Sequence, residues 1–144
     1  MSILLVEDEP SLLEVITMFL EDAGLHVCQA GNAQEALKLL HDPDHSFSVM
    51  VTDVGLGMGD NGLELAAKAK QHRRELFVVY ETGSPAQLQG RPLADWETLF
   101  EKPYDVCKLA DVVFRLDRLA RQQHGGRCVA SMGSPPELLA APLH

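Results

Sequence analysis

Short apolar runs that alternate with helical patterns constrain the fold of this chain more than any other feature of its sequence. Ser2–Val6 and Phe47–Thr52 are nearly continuous apolar runs, as expected of strands that are covered on both faces. Further strands are predicted at Leu25–Ala30 and Leu76–Glu81, with a weaker one at Glu97–Glu101. Strands connected by helices in this order build a parallel sheet with helices on both faces. The sequence therefore predicts an α/β protein, and its 144 residues suffice for one domain.

Helices are predicted between these strands from apolar residues at helical spacing and from residues that start or stop helices. Pro10 opens the first helix, Asn32 caps the second, and Pro43 ends it. The third helix is predicted at Leu63–Gln71, and the last runs from about Asp105 to Gln122.

Two stretches lack a regular pattern. Gly90 and Pro92 interrupt residues 86–96, so a short or irregular helix is expected there. Beyond Gln123, Gly, Pro and Ser dominate the sequence and no period persists. Residues 124–144 are therefore predicted to form a flexible C-terminal tail, which leaves residues 1–123 as the folded domain.

The charge balance and the cysteine usage disfavour several classes of protein. Twelve Lys and Arg residues against 21 Asp and Glu residues give a net charge of -9. A general nucleic-acid binder is disfavoured, because phosphate contacts need a basic face. The three cysteines have no metal-ligand spacing, which favours a reduced, cytoplasmic compartment. The six histidines are scattered, and a surface role is expected for them.

The sequence shows no feature that targets it to a membrane. An acidic cluster begins at Glu7, which argues against a signal peptide. No apolar run approaches the roughly 20 residues that span a bilayer. Met1 directly precedes the first predicted strand, which favours a native start.

Polar and charged side chains follow four of the predicted strands. Glu7 and Asp8 follow the first, Asp53 the third, Thr82 the fourth and Lys102 the fifth. Because the carboxyl ends of parallel strands share one edge of the sheet, these side chains are expected to lie close together. Three carboxylates at one place repel one another unless a cation lies between them. Oxygen ligands alone suit a hard ion such as Mg²⁺, and the lack of His or Cys at these strand ends disfavours zinc.

This combination of groups suits phosphoryl chemistry. The metal, the Lys102 ammonium and the Thr82 hydroxyl can together hold three oxygens of a phosphoryl group. A carboxylate between them can attack phosphorus and form an acyl phosphate. Each residue also has a simpler interpretation: Glu7 and Asp8 as acids at a helix start, Asp53 and Thr82 as turn residues, and Lys102 as a surface lysine.

Four motifs in order resemble those of bacterial response-regulator receiver domains: LLVEDE, VMVTDVGLGMGDNGLELA, YETGS and EKPYD. The resemblance covers about residues 2–122. It implies a flavodoxin-like, doubly wound, five-stranded parallel sheet with strand order 2-1-3-4-5 and helices on both faces. It also implies roles by position: Glu7 and Asp8 as the metal-binding pair, Asp53 as the phosphoacceptor and metal ligand, Gly55 as a backbone-carbonyl ligand, Thr82 as the switch hydroxyl, and Lys102 as the phosphoryl-contacting lysine before a Pro that is usually cis.

The chain departs from this family pattern at several positions. Leu99 occupies the place of the usual switch aromatic, three residues before the lysine. The loop through Gly57–Asn61 is one residue longer than is common, and it lacks the usual Pro. Gly55 and Ser84 stand at the two positions that tune the lifetime of the phosphoryl group in the family. They predict an acyl phosphate that is neither strongly shielded nor assisted by an acid or amide.

The leading hypothesis is a stand-alone receiver that takes a phosphoryl group onto Asp53 with Mg²⁺. The donor would be a sensor histidine kinase or a histidine phosphotransfer protein, and the output a changed surface for a downstream protein. Such a protein is not a turnover enzyme. Direct DNA binding is not expected, because no DNA-binding domain follows residue 123. A second apolar edge on the last helix, around Val113 and Phe114, offers a surface for homodimerisation or partner docking.

Three alternatives stay open at this point. The chain is a fragment of a longer regulator or of a hybrid kinase, or it is a receiver-like interaction module that works without phosphorylation. A Mg²⁺-dependent phosphatase with an aspartyl nucleophile is the third. Such enzymes usually place a second Asp two residues after the nucleophile, where this chain has Gly55.

Overall fold

The computed structural model describes residues 1–56, 59–83 and 90–131, with side chains through residue 123. Five parallel strands form one sheet in the order β2-β1-β3-β4-β5. This result confirms the predicted fold class and strand order. The elements are β1 (Ser2–Val6), α1 (Pro10–Asp22), β2 (Val27–Ala30), α2 (Ala33–His41), β3 (Phe47–Asp53), α3 (Gly62–His72), β4 (Phe77–Thr82), β5 (Glu97–Glu101) and α4 (Val106–Ser131).

Side-chain caps explain where α2 and α3 begin. The Asn32 side chain accepts a hydrogen bond of 2.8 Å from the backbone N–H of Glu35. The Glu35 side chain accepts from the N–H of Gly31 at 2.7 Å. At α3 the Asn61 and Glu64 side chains each accept from the other residue's N–H, which forms a complete capping box. Asn61 therefore starts a helix, although its pairing with a glycine resembles a turn.

The core has two layers, one on each face of the sheet. Alternate strand residues point to opposite faces, so Leu4 and Met50 belong to one layer while Leu5 and Val51 belong to the other. The first layer packs with α2 and α3, and the second packs with α1 and α4. Burial on both faces is the reason that β1 and β3 are so continuously apolar.

The register of the strands aligns their carboxyl ends. Val6 pairs with Thr52, and Asp53 pairs with Glu81. At the other end of the sheet the β1/β3 pairing shifts, because Ser2 pairs with Phe47 whereas Ile3 pairs with Val49. The irregularity thus lies at the edge where the strands begin. None of the helices in the described part of the chain is long and apolar enough to cross a bilayer.

The last helix is longer than predicted. α4 continues to Ser131, so the predicted end near Gln122 is wrong and the predicted tail from residue 124 begins with helical backbone. The prediction relied on the Gly, Pro and Ser residues that dominate beyond Gln123 and on the loss of a helical period there. A glycine inside a helix costs only about 1 kcal/mol relative to Ala, which does not by itself end a long helix.

Several predictions fall on residues outside the described part of the chain. These are Ser84, the glycine at 57 in the long loop, and residues 132–144 of the predicted tail. Of the segment predicted as a short or irregular helix, residues 90–96 form turns and irregular chain without helix.

Candidate functional site

Three carboxylates meet at the carboxyl ends of β1 and β3. Glu7 and Asp8 directly follow β1, and Asp53 is the last residue of β3. One carboxylate oxygen from each residue lies within 4.8 Å of the others. Glu7 is buried, Asp53 is partly buried and Asp8 is exposed. The cluster therefore opens to solvent on one side and is closed by the sheet on the other.

The electrostatics of Glu7 show how unfavourable this cluster is by itself. Glu7 Oε2 accepts a hydrogen bond of 3.2 Å from the backbone N–H of Glu9. Glu7 Oε1 is buried and has no hydrogen-bond partner among the described residues. Burial, together with the negative charges of Glu81 and Asp53, raises the pKa of Glu7 to about 7. A buried carboxylate oxygen without a donor calls for a cation.

The donor set fits Mg²⁺ in particular. All three side chains offer oxygen, which this hard ion prefers. Gly55 lies at the same place, because its backbone N–H donates a hydrogen bond of 2.9 Å to Asp53 Oδ1. The resemblance assigns a ligand role to the Gly55 carbonyl, and the Gly55 N–H places this residue beside the Asp53 carboxylate. The residues that would hold Mg²⁺ are therefore Glu7, Asp8, Asp53 and the Gly55 carbonyl.

Lys102 supplies a fixed positive charge to the cluster. Its Nζ lies 2.9 Å from Asp53 Oδ2. Its backbone N–H donates to the Thr82 carbonyl at 2.7 Å, which extends the β4/β5 pairing beyond the end of β5, and its peptide bond to Pro103 is cis. Burial lowers the pKa of Lys102, but the hydrogen bond to Asp53 and the negative charges of Asp53, Glu81 and Glu7 together raise it above its ordinary value. Lys102 is therefore a cation throughout the physiological range.

Thr82 lies at the same edge of the sheet. It is the last residue of β4, it is fully buried, and it pairs with Glu101 across β5. Asp53 on β3 is in register with Glu81, which is the residue before Thr82 on β4. The sheet thus brings the end of β4 next to the Asp53 carboxylate and the Lys102 backbone. All the predicted site residues lie at one edge of one sheet.

A fourth acid, the buried Glu81, belongs to this region and is absent from the sequence-based prediction. Glu81 is fully buried, and its Oε1 accepts a hydrogen bond of 2.6 Å from the Tyr104 hydroxyl. Its Oε2 has no hydrogen-bond partner among the described residues. Burial raises the pKa of Glu81, against the opposing effect of the Tyr104 hydrogen bond. A Glu that ends an otherwise apolar strand, with a Tyr two residues beyond the lysine, is the sequence signal for this pair.

A second hydrogen-bonded group ties β4 to the chain before β5. Glu97 accepts two hydrogen bonds from the Arg91 guanidinium, at 3.0 and 2.6 Å, and one from the Tyr80 hydroxyl. The backbone N–H of Ala94 also donates to it at 2.9 Å. Tyr80 is fully buried and pairs with Leu99 in the sheet. The aromatic ring at this level is therefore on β4, whereas the family pattern places it on β5.

The comparison with known families agrees with this geometry. The chain matches the family model described as response regulator receiver domain over residues 3–113, which includes every predicted site residue. The chain belongs to the response regulator receiver domain family. It is thus a receiver domain of the kind found in two-component response regulators.

One relative is response regulator Rre1 of Synechocystis sp., which is 33% identical over 129 residues. The match covers 85% of this receiver domain and 53% of Rre1, so the chain spans about half the length of that relative.

Solved receiver structures superpose on the chain. A response regulator receiver protein from Sinorhizobium medicae gives a TM-score of 0.74 at 24% identity, covering 83% of this chain and 95% of that one, which shows the shared fold. Response regulator protein TrrA from Thermotoga maritima was solved in complex with Mg²⁺-BeF. It gives a TM-score of 0.67 at 25% identity and covers 81% of this chain and 99% of that one.

Proposed function

We propose that this receiver domain accepts a phosphoryl group on Asp53 from a phosphohistidine donor and that it requires Mg²⁺. One observation carries the proposal. The Asp53 carboxylate stands between the Glu7 and Asp8 carboxylates, within 4.8 Å, and the Lys102 ammonium, at 2.9 Å. A nucleophilic oxygen flanked by a cation and by a site for a second cation is suited to phosphoryl transfer.

The chemistry requires little from the protein beyond position and charge. An oxygen of Asp53 attacks phosphorus, the P–N bond of the phosphohistidine breaks, and the imidazole leaves with the electron pair and takes up a proton. The product is an acyl phosphate on Asp53. Bound Mg²⁺ would neutralise negative charge on the phosphoryl oxygens. Lys102 already lies at the Asp53 carboxylate, so it reaches the new phosphoryl oxygens by a short movement of its side chain.

Phosphorylation acts by changing a protein-binding surface. The donor is a sensor histidine kinase or a histidine phosphotransfer protein, and the receiver acts as phosphoacceptor in the reduced cytoplasm, without turnover as an enzyme. TrrA, a similar protein, was solved with Mg²⁺ and a beryllium fluoride group, which supports the same chemistry here. Phosphorylation changes the affinity for a downstream protein, because it shifts the balance between two surface states.

Labelling with a radioactive phosphohistidine donor or with acetyl phosphate tests the acceptor. Asp53→Asn should abolish the label, and the label on the wild-type chain should be released by hydroxylamine, as expected of an acyl phosphate. Asp60→Asn is the matched control, because Asp60 lies in the loop after Asp53 and forms an ion pair with Lys68 instead. Equal labelling of the Asp53→Asn variant and the wild type would exclude the assigned acceptor.

A second function, partner binding without phosphorylation, draws support from the Tyr80–Glu97–Arg91 group. This group joins β4 to the start of β5 and to the chain before it, beside Leu99, where the family pattern has a mobile aromatic. Full retention of affinity for a protein partner in an Asp53→Ala variant would favour this function.

The intact mass of the native protein would decide whether the receiver is one part of a longer chain.

A further inference from the structure

Two histidines far apart in sequence meet at the other edge of the sheet. His41 is the last residue of α2 and His72 the last residue of α3. Their Nε2 atoms are 2.8 Å apart, and the rings are at 65° with centroids 4.1 Å apart. Both side chains are exposed, so water or another ligand can reach the nitrogens. Nothing in the phosphoacceptor chemistry uses this pair.

The distance between the two nitrogens is informative. Bonds from a transition metal to imidazole nitrogen are about 2.0 Å long. Two such ligands at right angles therefore have nitrogens about 2.8 Å apart, whereas tetrahedral ligands are about 3.3 Å apart. The observed distance of 2.8 Å is that of a hydrogen bond between the two ring nitrogens, and it equals the separation that the right-angled arrangement requires, so a metal could replace the shared proton with little movement of the rings. Cu²⁺ and Ni²⁺ prefer tetragonal or square-planar sites, and the Irving–Williams order makes Cu²⁺ the stronger binder.

The surroundings fix the two helix ends that carry the rings before any ligand arrives. Arg73, the residue after His72, donates hydrogen bonds to the carbonyls of Leu40 and Asp42, at 2.8 and 2.9 Å from its Nη2. Its guanidinium also lies over the Phe47 ring, 5.7 Å from the centroid. The end of α2 is thus fastened to the end of α3. Ligands held by a rigid frame lose little freedom on binding a metal.

The charges around the pair are compatible with a cation. Both histidines lie in the last turn of a helix, where the helix dipole favours positive charge. The Arg73 guanidinium follows His72 in the chain and donates to backbone carbonyls, and the Lys70 ammonium in the last turn of α3 donates to the Leu76 carbonyl. Asp42 follows His41 in the chain, and its Oδ2 lies 3.6 Å from His45 Nε2. His45 is therefore paired with its own neighbour and is not needed for the site.

We propose that His41 and His72 form a two-histidine site for a divalent transition-metal ion, with Cu²⁺ or Ni²⁺ as its chemical class. Water completes the coordination, since both rings face solvent. A bound ion would join α2 to α3 at the edge of the sheet where the strands begin. The site is thus separate from the carboxylates at the opposite edge, and it does not depend on the function proposed for Asp53.

Titration of the full-length chain with Cu²⁺ or Ni²⁺ tests the site, with saturating Mg²⁺ present to occupy the carboxylates. Calorimetry gives the affinity, and electron paramagnetic resonance of the Cu²⁺ form gives the number of nitrogen ligands. We expect splitting from two nitrogens in the wild type. His41→Ala and His72→Ala should each weaken binding by at least about 10-fold, the loss seen even for partners outside the coordination sphere.

His26→Ala is the matched control, because His26 is also exposed but contacts only Ser2 among the described side chains. Its affinity should equal that of the wild type. The proposal is overturned if the His41→Ala/His72→Ala double variant binds Cu²⁺ as tightly as the wild type, or if the spectrum shows one nitrogen ligand. In either case the two rings share only a hydrogen bond. Labelling of Asp53 should be unchanged in the double variant, which separates this test from that of the phosphoacceptor.

Discussion

Lys102 Nζ lies 2.9 Å from Asp53 Oδ2, while the Gly55 N–H lies 2.9 Å from Asp53 Oδ1. Both oxygens of the proposed nucleophile are therefore held by donors before any phosphoryl group arrives. The carboxylate is oriented by the protein, and its charge is partly compensated. A new group on Asp53 would have to displace or share the Lys102 contact.

Lys102→Ala should separate metal binding from the response. The Glu7, Asp8 and Asp53 oxygens remain in place, so Mg²⁺ affinity should stay within a few-fold of the wild-type value or rise slightly, because a competing cation is gone. NMR titration with Mg²⁺ and then beryllofluoride measures both effects. We expect shifts near Asp53 but loss of those at a distance. Loss of Mg²⁺ binding in this variant would contradict the assigned role.

Glu7→Gln should stabilise the metal-free protein at high pH. The pKa of Glu7 is raised from 4.5 to about 7 by burial and by Glu81. The folded state therefore holds its proton more tightly, and stability falls as pH rises from 4.5 towards 7. A neutral amide avoids this loss, which amounts to roughly 3 kcal/mol above pH 7. Urea unfolding in the presence of a chelator, at pH 8 and at pH 4, measures the difference in stability between the variant and the wild type.

The advantage of Glu7→Gln should disappear at pH 4 and also when Mg²⁺ is added to the wild type at pH 8. Glu9, two residues further along the chain, provides the control, because it is exposed and its substitution by Gln should change little. A lower stability of Glu7→Gln at pH 8 would mean that the buried carboxylate is compensated by a donor after all.

Glu97 should affect stability with the opposite pH dependence to Glu7, because its charged form stabilises the folded state. Burial would raise its pKa, but the Arg91 guanidinium and the Tyr80 hydroxyl outweigh this and lower it to about 2. Its contribution is therefore fully present above about pH 4.5 and is lost as pH falls towards 2. Glu97→Gln should cost up to about 3 kcal/mol at pH 7 and much less at pH 3. The difference in urea midpoint between variant and wild type at the two pH values measures this.

Gly62→Ala should disturb Asp53 through the backbone. A Cβ on Gly62 would lie 2.3 Å from the Asp53 carbonyl oxygen and 2.8 Å from Val54 Cα. Neither atom can give way without moving β3, so we expect a loss of about 1–3 kcal/mol and slower labelling of Asp53. Gly31→Ala is the control, since its Cβ would meet only the Glu35 side chain at 3.5 Å. Wild-type labelling in Gly62→Ala would show that Asp53 tolerates a shift of its strand.

The Tyr104–Glu81 contact should show strong coupling. Tyr104→Phe removes the hydroxyl that donates to Glu81 and leaves a buried carboxylate with one contact fewer, at a cost of about 1–3 kcal/mol. Glu81→Gln in the same background should recover part of this cost, because an amide needs no charge compensation. A double-mutant cycle measured by urea unfolding gives the coupling. Strictly additive stability effects of the two substitutions would mean that the Tyr104 hydroxyl does not stabilise the Glu81 carboxylate.

The sequence predicts well what depends on strand order and poorly what depends on side chains that meet through the fold. Asp53 and Lys102 could be placed together because parallel strands share their carboxyl edge. His41 and His72 could not, because no local spacing links two residues at the ends of different helices. Glu81 at the end of an apolar strand is unusual in the sequence, but only the fold shows that the Tyr104 hydroxyl donates to it.

The boundaries of helices and strands can likewise be predicted where local sequence sets them, but not where contacts with the rest of the fold set them. The cap at Asn32 is local and predicts the start of α2 from the sequence, whereas the equally local cap at Asn61 is hidden because Asn-Gly resembles a turn. The end of α4 is not, because glycine signals compete with the rest of a long helix. The pairing of β1 with β3 also decides details that no single segment contains, such as the shift after Ser2.

Because of that register shift, the edge of the sheet where the strands begin tolerates changes in strand length, whereas the margin that carries the acids does not. An added or missing residue near Ser2 and Phe47 is accommodated where the ladder is already uneven. The same change beside Asp53 would rotate its carboxylate to the opposite side of the sheet and bury it against the wrong helices. Variation in strand length among related proteins should therefore collect at the margin remote from the acids.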